Sequence, residues 1–514
     1  MASTTLSPLI QQMLQPEFYP HPVTEPIQLI QTHVSYVLLT GEYAYKLKKP
    51  VNFGFLDFST LEKRQHFCHE ELRLNQRGAG ELYLEVLPLT QSGDRFQLNG
   101  AGQPVEYAVK MRQFPQEALL TSLFDQGQLT ESLLQDLARA IAEFHAKART
   151  DDYIRSFGEV PKIRASIDEN YEQTEKYIGG PQTQAQFDQT KNYTDQFFVQ
   201  QQALFANRVQ NNWIRECHGD LHLRNICFWQ DKLLLFDCIE FNEPFRFVDV
   251  MFDIAYIIMD LEARQRPDLS NLFLNTYIEQ TGDWEGLQVL PLYVSRQSYV
   301  RAKVTSFLLD DPTVPDDKKA EAEATAALYY RLAWQYAQPQ AGQLILMSGL
   351  SGSGKSTTAR SLARHLGAVH IRSDAVRKHL AGMALLERGS ADLYTPEMSQ
   401  KTYDRLLDLG IALASQGYAV ILDAKYDRQA FRSAAIAQAQ IHQLPVKILH
   451  CTAPLEVIRD RLQKRTGDIA DATADLLDQQ KTATEPFTET EQEYVQTLDT
   501  TQDLEAQWEQ LIKQ

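Results

Sequence analysis

Gly349-Leu-Ser-Gly-Ser-Gly-Lys-Ser-Thr357 fits the pattern G-x-x-x-x-G-K-S/T in full. The apolar run Gln343-Leu-Ile-Leu-Met347 before it reads as a buried parallel strand, and Thr358–Leu366 after it has helical spacing. Between strand and helix the glycines let the backbone curl until successive N–H groups converge, and the helix N-terminus adds the positive end of its dipole. Such a loop holds phosphates. Gly349, Ser351, Gly352, Ser353, Gly354 and Thr357 are expected to wrap them, Lys355 to reach the β- and γ-phosphates, and the Ser356 hydroxyl to bind Mg²⁺. The bland alternative is a glycine-rich turn, and strand, motif and helix in one place outweigh it. The motif predicts an α/β P-loop domain with a parallel sheet.

A loop of this kind follows the first strand of its domain, so a new domain is expected at 343–514, with 337–342 as linker. Upstream, 1–30 reads as an N-terminal extension, 31–115 as a small β-rich lobe with one inserted helix, and 116–336 as a helical lobe. The 514 residues, 43% of them hydrophobic, suffice for several cores. No apolar run reaches membrane-spanning length and no signal peptide opens the chain. Five cysteines without a C-x-x-C pair read as reduced thiols, which points to the cytoplasm; a metal cluster of Cys217, Cys227 and Cys238 is the weaker reading. The net charge is −17; residues 342–514 carry 19 Lys+Arg against 22 Asp+Glu, so most of the excess lies upstream. Neither part has the broad basic surface of a protein that tracks along nucleic acid, which favours small substrates over polymers.

In the β-rich lobe, Val34–Leu39 and Tyr43–Lys48 read as strands joined at Thr40-Gly41-Glu42. A helix is expected over Leu61–Arg77, with further strands at Tyr83–Leu89 and Tyr107–Arg112. Ser92-Gly93-Asp94 and Asn99-Gly100 mark a hairpin turn and a loop. A strand lysine such as Lys46 is by itself usually a solvated-face residue. Leu133–Ala148 has an amphipathic stripe, and the Gln-rich 165–210 reads as surface helices.

A second constellation spans Cys217-His218-Gly219-Asp220-Leu-His-Leu-Arg-Asn225, then Leu233–Phe236 followed by Asp237, then Asp249 and Asp253. Phosphoryl transfer to a hydroxyl needs an acceptor for the proton, oxygen ligands for Mg²⁺ and a cation on the donor phosphates. Asp220 is placed to be the base, and Asn225 and Asp237 to be metal ligands. This pattern resembles the aminoglycoside phosphotransferase and choline kinase group, whose loop reads H-G-D-x-x-x-x-N. It is most similar to bacterial proteins that fuse such a domain to a P-loop domain, and the resemblance covers essentially the whole chain. The resemblance implies a two-lobed α+β protein-kinase-like fold in which Lys46 meets the ATP phosphates and Glu71 pairs with it; Lys48 and Glu70 are the rivals. It also implies that Thr40-Gly41-Glu42 covers the phosphates. Asp249 either orders the catalytic loop or caps the helix over 252–259. Glu240, three residues after Asp237, departs from the group's spacing, so a metal role for it is doubtful. A silent pseudokinase is the alternative.

In the P-loop part, Ala368–Ser373 reads as a strand that leads into Asp374, and Arg377 follows one helical turn later. Asp374 could take the acceptor's proton and Arg377 hold its phosphate or carboxylate. The strand Val420–Leu422 ends at Asp423, a further Mg²⁺ candidate, with a turn aspartate as the alternative. Arg461 and Arg465, i and i+4 after the strand Val446–Cys451, could close on ATP. This part resembles AAA-type small-molecule P-loop kinases: gluconate and adenylylsulfate kinases, zeta-toxin-like kinases and the kinase half of polynucleotide kinases. The combined expectation is an ATP- and Mg²⁺-dependent phosphotransferase with two kinase domains acting on hydroxyls of small metabolites. A 5′-hydroxyl polynucleotide kinase and an ATP-binding regulator are the alternatives.

Overall fold

Alternation of apolar and polar side chains builds the first sheet. Strands β1 (Gln28–Gln31), β2 (Ser35–Leu39), β3 (Tyr43–Lys48), β4 (Tyr83–Ser92), β5 (Arg95–Leu98) and β6 (Pro104–Arg112) pair antiparallel in the order β1-β2-β3-β6-β4-β5. Tyr45 and Leu47 point into a buried cluster with Leu38, Leu87, Leu89 and Ala108. Ile10, Met13, Tyr19 and Ile27 belong to that same cluster. The segment read as an extension is thus built into the sheet. Its apolar residues fill the core, and β1 pairs with β2. The inserted helix runs Leu61–Ala79, and the Thr60 hydroxyl accepts the Lys63 N–H at its start.

The computed structural model describes residues 6–504 and residue 507, and their contacts divide the chain into two units. The first unit comprises Met1–Thr130, Glu143–Glu169 and Phe198–Asp260. Besides its six-stranded sheet it holds β7 (Ile214–Glu216), the hairpin of β8 (Ile226–Trp229) with β9 (Lys232–Leu235), and β10 (Phe247–Asp249), which pairs with β7.

The second unit comprises Glu131–Ala142, Asn170–Phe197 and Leu261–Gln514. Its sheet is parallel throughout, in the order β12 (Val369–Arg372), β13 (Ala419–Asp423), β11 (Gln343–Ser348), β14 (Val446–Thr452), β15 (Val495–Asp499). The central strand is buried on both faces, as a parallel sheet covered by helices requires: Leu344, Leu346 and Met347 have no exposed surface.

The unit extends well upstream of the phosphate loop, which differs from a boundary at 337–342. The reason lies at the sheet edge. β12 would present unpaired backbone groups, and the helix Pro267–Thr281 covers them. Asn271 and Asn275 both donate their side-chain amides to the Ala368 carbonyl, at 2.9 and 3.0 Å, and the His370 N–H donates to Asn275 Oδ1 at 2.8 Å. Tyr418 adds a bond from its hydroxyl to the Leu287 carbonyl at 2.7 Å. Among the described residues, no helix is long and apolar enough to cross a membrane.

Asn275→Ala strips the His370 N–H of its partner inside a buried strand and is expected to lower unfolding free energy by about 1–3 kcal/mol. Asn271→Ala leaves the Ala368 carbonyl its second donor and should cost less. Urea denaturation of the full chain measures both.

Candidate functional site

In the first unit, Lys46 and Lys48 lie two apart on β3 and so share the face that meets the helix Leu61–Ala79. From that helix the fully buried Glu71 reaches both ammonium groups: Oε1 lies 2.7 Å from Lys46 and Oε2 2.6 Å from Lys48. Lys46 also donates to Asp237 Oδ1 at 2.7 Å. The second carboxylate on Lys48 is Glu240. Burial disfavours the Lys46 charge, but Asp237 and Glu71 outweigh it and hold its proton well above the ordinary lysine value. Burial also opposes ionisation of Glu71, and the two lysines overcome it and hold that carboxyl below the usual range. Glu70 instead pairs with Arg73 on the outer side of the helix, at 2.8 Å. Glu240 is committed to Lys48, and its carboxyl is pushed up by burial.

The β8–β9 hairpin sets the next two residues opposite each other. The Phe236 N–H donates to the Asn225 carbonyl at 3.0 Å, which places Asp237 directly beyond. Asp237 sits in the left-handed region, at φ 65°, with its side chain 46% exposed. Asp220 and Asn225 meet at the same end: the Asn225 amide nitrogen donates to the Asp220 carbonyl at 2.8 Å and to its Oδ2 at 2.9 Å. That leaves the Asn225 amide oxygen as its acceptor group.

His222 Nε2 lies 3.1 Å from Asp220 Oδ1. Burial raises the Asp220 carboxyl, and the His222 bond outweighs it to hold the group down at about 2. Burial likewise opposes the His222 charge, and its bonds to Asp220 and Asp260 win, so the imidazole is shifted up.

The loop itself is held by Asp253, which accepts the N–H groups of His218 at 2.9 Å and Gly219 at 2.8 Å, and faces His145 Nε2 at 3.0 Å. Gly219 is required there. Its φ is 87°, and a Cβ would lie 2.7 Å from the Phe245 carbonyl oxygen. Among the described residues, Asp249 makes no hydrogen bond to the loop. Its carboxylate is bonded to the buried Arg208 at 2.6 and 2.8 Å and accepts the Met251 N–H at 2.9 Å, so it holds the start of the helix Val250–Ala263. A cavity of about 420 Å³ opens over Lys46, Asp237 and Glu240, with Val37, Leu39, Leu82, Met111 and Phe236 in its apolar walls. The Thr40-Gly41-Glu42 turn is tied down by the Gly41 N–H bond to Gln113 Oε1 at 2.8 Å. Among the described residues, Cys217, Cys227 and Cys238 do not gather into one metal-ligand group; Cys217 lies with His145 and Asp253 instead.

In the second unit, β11 runs into the loop and the helix Lys355–Leu366 leaves it. Gly349 has φ 133°, and a Cβ there would lie 2.4 Å from the Cys451 carbonyl oxygen, so the loop passes β14 at glycine distance. Among the described residues no side chain caps the helix, whose first N–H groups therefore remain open for an anion. Lys355 folds over the loop, donating to the carbonyls of Gly349 at 2.9 Å and Leu350 at 2.8 Å, and burial lowers the pKa of its ammonium. A cavity of about 520 Å³ is lined by Ser351, Gly352, Gly354, Lys355, Ser356 and Thr357, and opposite them by Asp374, Asp423, Arg461 and Arg465. Ser353 lies beneath the loop. It is 1% exposed and absent from the cavity lining, and its carbonyl accepts the Thr500 hydroxyl at 2.7 Å.

Asp423 ends β13 and faces His370 Nε2 at 3.0 Å; burial opposes its ionisation, and His370 outweighs that to hold it down at about 2. Arg461 is anchored on Thr500, with bonds of 2.8 Å to its hydroxyl and 2.9 Å to its carbonyl; Arg465 donates to the Ala470 carbonyl at 3.2 Å. Asp374 lies in the first turn of the helix Ser373–Leu380, and burial pushes its carboxyl up. It also lines an adjoining cavity of about 530 Å³, which is where Arg377 lies. The uncapped helix, the Ser356 hydroxyl and the ionised Asp423 together fit a phosphate chain with a divalent cation.

Residues 344–487 match the family model of an AAA domain. An uncharacterized protein of Mycobacterium tuberculosis, Rv2004c, is 32% identical over 462 residues, covering 89% of this chain and 90% of that protein. Its Mycobacterium bovis counterpart, Mb2027c, aligns equally well. Among solved structures, a sugar kinase from Janibacter is 26% identical over 34% of this chain and 93% of its own, at a TM-score of 0.27. A choline/ethanolamine kinase family protein from Mesorhizobium loti is 10% identical over 64% of this chain and 99% of its own, at 0.37.

Glu71→Ala leaves two buried lysines short of a carboxylate and is expected to cost about 3–5 kcal/mol, against about 1 kcal/mol or less for Glu70→Ala. Chemical denaturation separates them. The Asp220–His222 contact adds a pH signature. Asp220, depressed from 3.8, stabilises fully above that value and loses the contribution as pH falls towards 2. His222, raised from 6.5, stabilises below 6.5 and loses its contribution as pH climbs above it. The stability gap between the wild type and Asp220→Asn should therefore be widest between about pH 4 and 6.5 and narrow on both sides.

Proposed function

The chain belongs to one family with these mycobacterial proteins, and for it we propose an ATP- and Mg²⁺-dependent phosphotransferase that phosphorylates hydroxyl groups of small metabolites at two sites. The observation that carries the reading is the position of Asp374. It stands on the wall shared by the phosphate-loop cavity and its neighbour. A hydroxyl entering from the second cavity meets a carboxylate at the edge of the first, and burial has made that carboxylate a stronger base.

In this reading the loop N–H groups and Lys355 hold the β- and γ-phosphates of ATP. Ser356 and Asp423 would hold Mg²⁺, which neutralises charge on the phosphates. Asp374 receives the proton of the attacking hydroxyl, and Arg377 orients the acceptor. Arg461 and Arg465 close the phosphate side. In the first unit, Lys46 positioned by Glu71 contacts the donor phosphates, Asn225 and Asp237 supply metal ligands, and Asp220 takes the hydroxyl proton. That assignment makes the first unit a two-lobed kinase-like domain.

ATP consumption by the full chain against sugars, amino alcohols, aminoglycosides and 5′-hydroxyl oligonucleotides tests the proposal. Some small acceptor should accelerate ADP release. Lys355→Ala and Asp374→Asn should each lower the second unit's kcat by about 100-fold or more, and Asp220→Asn should do the same for the first. ATP binding without acceptor-dependent turnover would move a nucleotide-sensing regulator ahead. Turnover with oligonucleotides alone would favour end phosphorylation of nucleic acid.

A further inference from the structure

The charges of the cavity beside Asp374 are unevenly spent. Two of its three acidic residues are occupied. Asp427 takes Lys425 at 2.9 Å, and Asp471 accepts the Tyr394 hydroxyl at 2.7 Å and the Gly389 N–H at 3.1 Å, with Lys378 at 3.6 Å. Asp374, the third, has its carboxyl pushed up by burial and is the proposed base. The arginines are not spent in the same way. Arg377 is 7% exposed, and among the described residues its hydrogen bonds are long ones, to the Leu393 carbonyl at 3.3 Å and the Ser399 hydroxyl at 3.4 Å. Its Nε is buried without a partner, and its guanidinium lies 4.8 Å from the centre of the Tyr394 ring. Arg388 and Arg428 line the same cavity, and neither makes an ion pair among the described residues.

A buried guanidinium with an unmet donor costs free energy unless a ligand completes it, and planar forks suit oxyanions with several acceptor oxygens. One buried and two exposed guanidiniums around a single cavity of metabolite size exceed what a single carboxylate can satisfy. Resting on the phosphotransferase reading above, we propose that the second unit's acceptor is a phosphomonoester that carries a free hydroxyl. Its phosphate is held by Arg377, Arg388 and Arg428 and its hydroxyl is turned to Asp374. The hydroxyl oxygen bonds to the γ-phosphorus of ATP while the bond from that phosphorus to the bridging oxygen breaks. ADP leaves, and the proton goes to Asp374. The reaction class that supplies such a substrate is phosphorylation of a hydroxyl on a small metabolite, the reaction proposed for the first unit. The two activities therefore run in a fixed order, the first unit before the second.

Two experiments on the full chain test this. The first measures ADP release with small sugar and polyol phosphates, each beside its dephosphorylated parent and a carboxylate analogue, in an Asp220→Asn background that isolates the second unit. At least one phosphorylated acceptor should be turned over in a Lys355-dependent manner. Arg388→Gln together with Arg428→Gln, both on exposed side chains, should raise its KM about 10-fold or more, with ATP affinity unchanged. Lys355-dependent turnover of neutral or carboxylated acceptors with no gain from phosphate overturns the inference and leaves the phosphotransferase reading standing. No Lys355-dependent turnover of any acceptor overturns both.

The second experiment counts phosphoryl groups added to a neutral acceptor by mass spectrometry. The wild type should add two, Lys355→Ala one and Asp220→Asn none. A Lys355-dependent product from the neutral acceptor in Asp220→Asn would refute the order.

Discussion

A carboxylate or ammonium taken out of water must find an opposite charge or lose its own, and this constraint shapes both sites. Glu71 is completely buried and keeps its charge because two lysines converge on it. Asp249 is paired with Arg208, while Asp253 keeps its charge through two backbone N–H groups and His145, and Asp423 through His370. Each of these contacts joins segments far apart in the chain, so each is also a statement about which elements must sit together. The helix Leu61–Ala79 cannot slide along β3 without uncovering a charge. The His218-Gly219-Asp220 loop cannot lift without unsatisfying Asp253.

Groups that escape this pairing mark where a ligand is expected to complete the balance. Asp237 meets Lys46 on one side and solvent on the other. Among the described residues, the helix after the phosphate loop has no side-chain cap, and Arg377 keeps a buried donor unused. These residues come from a strand end, a loop and a first helical turn. There the backbone stops pairing with itself, and side chains or N–H groups are turned outward by the fold.

The phosphate loop and the parallel sheet around it were legible because the signal is local: strand, glycines, lysine and helix follow one another without a gap. The choice between Glu70 and Glu71 was legible in principle. Cys68, Leu74 and Asn75, at i−3, i+3 and i+4 from Glu71, are buried with it, and Glu70 falls outside that stripe. Lys46 and Lys48 could not be separated by periodicity, since residues two apart on a strand share a face. In the structure Glu71 pairs with both. Asp249 and Asp253 are spaced so that either could meet the catalytic loop. The deciding partner, Arg208, lies 41 residues from Asp249 and leaves no local trace. Ser353 fits the motif by position, but the motif does not say which of its side chains faces inward.

The difference at the boundary has the same origin. A motif marks where a nucleotide fold begins in sequence, whereas a domain ends where its backbone groups are satisfied. β12 stands at the edge of the parallel sheet, and its open side is closed by side-chain amides of Asn271 and Asn275. Those residues precede the loop by more than seventy positions, so the segment that matches the AAA domain does not contain everything its own sheet needs. His370, whose N–H is bonded to Asn275, is also the residue that faces Asp423. The helix that seals the edge thereby fixes the strand bearing the partner of a proposed metal ligand. A chain cut at the apparent linker would lose that support along with the edge cover. The upstream helices are therefore part of the second site's architecture as well as of the lobe to which their sequence position assigned them.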